Sequence, residues 1–247
     1  RSPWGAVEEA RRGSQLAPGL TFDQTIASED TQSKPLMELA LDGTFSDETL
    51  SKLLESYQIG AEWVQLLEAS EATTSKGKGL RSATSTTWLH DLHLGIAYTE
   101  RGDIEEPKKR FARSLLTRPN AIAARCLAVL QSSAEKALPF YMQAWTLALE
   151  EASTHSTPQE TVNTLLLNLA TEIAYILQGD GQWTELKSFV DALPVSEYPQ
   201  LATADAILLS KVYVSLRVDA DSYTAMDILS DESTAGCFPT FGKARAT

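Results

Sequence analysis

The chain has 247 residues, 43% hydrophobic and 22% charged, enough to bury a sizeable core in one large domain or two small ones. Its 13 Gly and 10 Pro are too few for a loop-rich β-sandwich, and the apolar residues recur at helical spacing. A formal charge of −12 repels phosphate backbones and anionic headgroups, which argues against nucleic acid and membrane as partners.

Residues 1–34 read as an irregular lead-in, with a short helix over Trp4–Arg12 that ends by Pro18-Gly19. The absence of an initiator Met suggests a piece of a longer protein. Residues 35–70 hold three short predicted helices, Pro35–Leu41, Asp47–Ser56 and Ile59–Ala69, expected to pack on the helical array beyond them. Asp42-Gly43 stops the first, and Ser46 is an N-cap candidate for the second. Residues 71–87 are rich in Ser, Thr and Gly with no apolar periodicity, and they read as a linker loop. Residues 88–235 form that array, helix upon helix, and 236–247 form an irregular tail.

The most informative stretch runs from Trp88 to Pro119. Leu94-Gly95-Ile96-Ala97-Tyr98 spells L-G-x-x-Y, Gly102 supplies a turn, Phe111 and Ser114 follow on a second helix, and Pro119 closes the unit. Each residue type has a physical task. Glycine at 95 allows a close helix approach, Tyr98 and Phe111 fill the space between helices, and a proline at 119 ends the second helix. This stretch resembles the tetratricopeptide repeat. Pro107 stands where that pattern has alanine, so with Asp103 as N-cap the second helix is expected to be short or slightly bent.

Weaker echoes come later in the chain. Ala137, Tyr141 and Ala144 repeat the small–aromatic–small spacing on a helix near Ala134–Ala152. Phe189 and Ala192 repeat its second half, after a helix near Pro158–Gln178 and a turn at Gly179-Asp180-Gly181. Leu201–Arg217 and Ser222–Leu229 suggest a last pair. The expected fold is therefore all-α, a tetratricopeptide-like array of helical hairpins forming a short right-handed solenoid behind an irregular helical lead-in. More loosely, Arg1–Ala6, Ile59–Trp63 and Thr87–Pro119 look like the helical half of the domain of unknown function 5107 family. That resemblance implies a preceding β-rich domain like those of carbohydrate-active sandwich enzymes, with any sugar chemistry located there.

Few residues suggest chemistry. His90 and His93 with Asp91 lie on one helix, but the spacing is not H-E-x-x-H and His155 is remote, so structural histidines are expected and no metal. Gly77-Lys78-Gly79 lacks the first glycine and the Ser or Thr of a phosphate loop. Lys108, Lys109, Arg110, Arg113 and Arg118 read as a solvated basic face, with an anionic contact as the sharper alternative. Cys126, inside an apolar helix, reads as a buried thiol, and with Cys237 it makes no disulfide framework. No catalytic residue and no cofactor is expected.

These features point to a non-catalytic scaffold for protein–protein or interdomain contact. The expected partner is a protein, a peptide or an adjoining domain of the same chain. The first helix of the best unit would offer Leu89, Leu92, Ile96, Thr99 and Glu100 as the docking surface. The alternative is the accessory helical half of a carbohydrate-active protein. No uncharged apolar run approaches the roughly 18 residues of a membrane span, and no secretory leader pattern opens the chain, so the cytoplasm is the expected compartment.

Overall fold

A computed structural model describes residues 3–14, 16, 19–50, 60–76, 87–154 and 159–230. The protein is all-α, with no strand among the described residues. It forms two compact units, residues 1–130 and 131–247. The division falls between two helices and not at the expected linker 71–87. Helix continues to Lys76 there, and residues 77–86 lie outside the described residues.

The first unit opens with α1 (Pro3–Arg12) and α2 (Gln24–Glu29), so the lead-in is more ordered than its polar composition suggests. The signal for α2 is local: Asp23 accepts hydrogen bonds from the backbone N–H and the hydroxyl of Thr25 at 3.0 and 2.7 Å. Next come α3 (Lys34–Asp42), α4 (Asp47–Leu50) and α5 (Ala61–Lys76). The stop after α3 is as expected, because Gly43 adopts φ +69 and its N–H reaches the Leu39 carbonyl. Ser46 takes the Thr49 N–H at 3.2 Å and donates to Glu38 at 2.8 Å. The remainder of the predicted Asp47–Ser56 helix, after Leu50, lies outside the described residues.

Glu8 joins α1 to α5. It accepts from the Trp63 indole at 3.1 Å and from Arg11 at 2.8 Å, and these donors, Arg11 first, hold its carboxyl below the usual range. Helices α6 (Trp88–Glu100) and α7 (Glu105–Thr117) are joined by a four-residue turn and pack closely along their length. Gly102 makes that turn at φ +82. Pro107 is buried in the first turn of α7, where it removes no intrahelical bond, while Asp103 accepts from the N–H groups of Glu105 and Glu106. The helix is therefore as long as α6 and not shortened as expected. Helix α8 (Ala121–Val129) ends the unit, capped by Asn120, which accepts from the Ala123 N–H at 2.8 Å.

The second unit contains α9 (Ala134–Ser153), α10 (Gln159–Gly179), α11 (Trp183–Asp191), α12 (Gln200–Thr203), α13 (Asp205–Arg217) and α14 (Ser222–Ser230). Its centre is α10, which packs against α9, α11 and α13 and buries Leu166, Leu169, Ile173 and Leu177. The predicted Leu201–Arg217 helix is broken at Ala204, whose ψ of 132 is extended, giving α12 and α13. A polar pair fixes α10 on α13: Gln178 Nε2 donates to Ser210 Oγ at 2.7 Å, and that hydroxyl donates to the Ala206 carbonyl. The predicted tail 236–247, with Cys237, lies outside the described residues, as does His155.

Candidate functional site

The tetratricopeptide-like residues converge on one junction. Leu94 and Phe111 are buried, and an ideal Cβ on Gly95 of α6 would stand 2.5 Å from Phe111 Cε1 of α7. Ser114 Oγ, buried on α7, donates to the Trp88 carbonyl at 2.8 Å and accepts from Asn120 Nδ2 at 3.3 Å, tying the start of α6 to the start of α8. Pro119 is exposed between Arg118 and that cap. Tyr98 is half-buried, and its hydroxyl donates to Glu68 Oε1 on α5. Burial first, and the Glu68 carboxylate next, push its pKa up to about 12. In the second unit Ala137, Tyr141 and Ala144 are all buried along α9.

The His90-Asp91-His93 cluster is structural. Both rings pack on Phe45, with centroids 4.8 and 5.8 Å away, and His90 Nδ1 lies 2.7 Å from Thr87 Oγ1. Burial, aided by the neighbouring His90, lowers the His93 pKa to about 3, so its imidazole is neutral. Asp91 is buried and receives Arg110 Nη1 at 3.1 Å and Arg113 Nε at 3.1 Å. Among the described residues no three His, Cys, Asp or Glu side chains gather as metal ligands.

The same contacts correct the reading of the basic run as a solvated face. Arg110 and Arg113 turn inward to Asp91, Lys108 and Lys109 pair with Glu105 and Glu106, and Arg118 lies 4.7 Å over the Trp88 ring. These five cations have intramolecular partners, while Lys109 and Arg113 remain exposed.

The expected docking surface divides. Leu89 and Leu92 are completely buried, because α6 is buried on nearly all sides and packs against more than one neighbour, so neither can face a partner. Ile96 and Thr99 are half-buried and Glu100 is exposed. These three line a groove of about 220 Å³ with Phe111 of α7 and Arg125, Cys126, Val129 and Leu130 at the end of the unit. Cys126 is thus half-buried at a groove and not in the core as its sequence neighbours suggest.

A larger cleft of about 530 Å³ lies in the second unit, between α9 and α11. Leu138, Met142 and Trp145 form one wall, Thr184, Glu185, Ser188, Phe189 and Ala192 the other, with Leu177 of α10 beneath. Trp145 and Phe189 meet edge-to-face with centroids 5.5 Å apart. Sequence reasoning reads Ala137, Tyr141 and Ala144 as a repeat-like spacing and does not single out Leu138 or Met142. The signal that could have found the cleft is a second apolar stripe, Leu138, Met142 and Trp145 at i, i+4 and i+7, beside the stripe that packs.

No family model matches this chain, and neither a curated protein nor a solved structure matches it. Its chemistry therefore rests on the two grooves and their surroundings. Among the described residues no helix is long and apolar enough to cross a membrane.

Proposed function

We propose that this chain is a non-catalytic scaffold of tetratricopeptide-like helical hairpins whose work is protein–protein or interdomain contact. The observation that carries this reading is the groove at Ile96, Thr99 and Glu100, where a first helix, the Phe111 anchor and α8 leave a mainly apolar hollow lined also by Glu100 and Arg125. Val129 on its rim is 56% exposed, an apolar side chain with surface to lose when a partner docks. His90, Asp91 and His93 are engaged in packing and in an ion group within the first unit. The proposed partner is a protein or peptide, or an adjoining domain of the same chain, met in the cytoplasm, with no cofactor involved.

The test is capture of partners by the folded chain, compared with Ile96→Asp. Ile96 is half-buried, so an aspartate can reach solvent while the groove loses its apolar floor. Loss of captured protein with unchanged helicity is the expected outcome. Equal capture by both forms would remove the first-helix groove from the account. Leu92→Asp is unsuitable here, since it would place a charge in the core.

A further inference from the structure

We infer that the cleft between α9 and α11 is a second docking site, and that its occupant is an amphipathic helix with an apolar ridge and a basic flank. This deepens the scaffold reading and rests on it. The cleft lies on α9 and α11 of the second unit, and so differs from the first-helix surface around Ile96 in the first.

Shape selects a helix. Leu138 to Trp145 on one wall and Glu185 to Ala192 on the other each span seven residues, about 10 Å of helix at about 1.5 Å per residue. Anchors at i, i+4 and i+7 of an incoming helix span the same length. The lining is apolar apart from Thr184, Glu185 and Ser188, and the Ser188 hydroxyl already donates to the Thr184 carbonyl at 3.0 Å. Met142 on the rim is 39% exposed, an unbranched side chain that can adapt to an arriving ridge.

Charge selects a basic flank. Residues 131–230 hold thirteen acidic and four basic side chains, a net charge of −9 out of the −12 of the whole chain. Two of those four cations are already engaged: Lys187 pairs with Asp191 and Asp219, and Arg217 lies over the Trp183 ring. Glu185 is the charged side chain of the cleft itself. A second copy of this chain would bring the same negative field and be repelled, and phosphate backbones or anionic lipids are disfavoured for the same reason. A cationic helix gains steering from the field and apolar burial from the cleft.

The probe is a dye-labelled peptide of about 18 residues, leucine at i, i+3, i+4 and i+7 with lysine elsewhere, titrated with the full chain by fluorescence anisotropy. Its twin replaces every lysine with glutamate. Saturable binding of the lysine peptide is expected, weakened about tenfold or more in the glutamate twin and about tenfold or more by Ser188→Trp, whose indole fills the cleft from an exposed position. Met142→Ser supplies the same comparison should the indole disturb folding. No saturable binding, or equal affinity with the cleft filled or stripped of Met142, overturns the inference. Ile96→Asp separates the two sites. If it abolishes peptide binding while Ser188→Trp does not, the first-helix groove is the receptor, and this inference falls while the scaffold reading stands.

Discussion

Phe111 Cε1 would lie only 2.5 Å from a Cβ placed on Gly95, so the α6–α7 hairpin closes to a distance that glycine alone permits without a shift. Gly95→Ala forces the buried ring or the helix to move. Overpacking costs about 1–3 kcal/mol, against about 1 kcal/mol recovered in helix propensity. Net destabilisation of up to about 2 kcal/mol is expected in denaturant unfolding. Trimming the ring should make room, so Gly95→Ala with Phe111→Leu should cost less than the sum of the single changes by about 1 kcal/mol. Strict additivity would mean that the ring does not set the approach.

Asp91 provides a second prediction. Its carboxylate is buried and holds Arg110, itself mostly buried, together with Arg113, which is 46% exposed. Removing the central charge takes away the buried counterion of Arg110, with Glu106 Oε1 still 3.5 Å from its Nε, and Asp91→Ala should cost about 3 kcal/mol. Removing the outer partner leaves Asp91 with Arg110, so Arg113→Ala should cost about 1 kcal/mol. Thermal melts of the two variants check the order. If Arg113→Ala matched Asp91→Ala, the ion group would not be organised around Arg110.

These residues also indicate what the sequence could and could not reveal. The Leu94–Pro119 pattern was legible because its glycine, aromatic and turn residues are local and specified by shape. Although its N-cap Ser133, which accepts from the Lys136 N–H at 3.4 Å, was not used, helix α9 was legible from the spacing of Ala137, Tyr141 and Ala144. The break at Ala204 was not, since neither glycine nor proline marks it. The docking face was misread for a tertiary reason: α6 is buried nearly all round, its His90, Asp91 and His93 included, so its pattern alone does not distinguish a buried side from a groove-lining one. The basic run was misread because Asp91, nineteen residues before Arg110, is its counterion. Two apolar stripes on one helix, as on α9, are the feature that sequence reading should have taken as a sign of an unfilled face.

His93 makes stability depend on pH. Its folded pKa of about 3 lies below the ordinary 6.5, so the unfolded chain binds the proton first. The stability owed to the neutral ring is complete above pH 6.5 and is lost as the pH falls toward 3. The slope approaches about 1.4 kcal/mol per pH unit, or about 2 kcal/mol lost by pH 5. Most of that window lies above the ordinary range of the carboxylates, which isolates the histidine. His93→Gln should flatten the difference between about pH 7 and about pH 5 in urea titrations. Parallel curves for the two proteins would assign the acid sensitivity elsewhere.

Pro139 lies inside α9, in its second turn and exposed, yet the helix continues to Ser153. Lacking an N–H, it cannot donate to the Glu135 carbonyl, and its ring crowds that carbonyl. Restoring the donor should therefore stabilise the helix. The gain is bounded by about 3 kcal/mol for an interior proline and reduced by about 0.4–1 kcal/mol, because the substitution also loosens the unfolded chain. Pro139→Ala should raise the Tm by several degrees, about 4 °C per kcal/mol for a unit of this size. Leu138 on the cleft wall precedes the proline, and Met142 and Trp145 come after it, so the same variant reports on the cleft. If Pro139 sets the angle of that wall, the lysine–leucine peptide should bind more weakly to the more stable protein. A gain in stability with unchanged affinity would show that the proline merely interrupts the helix and has no part in shaping the cleft.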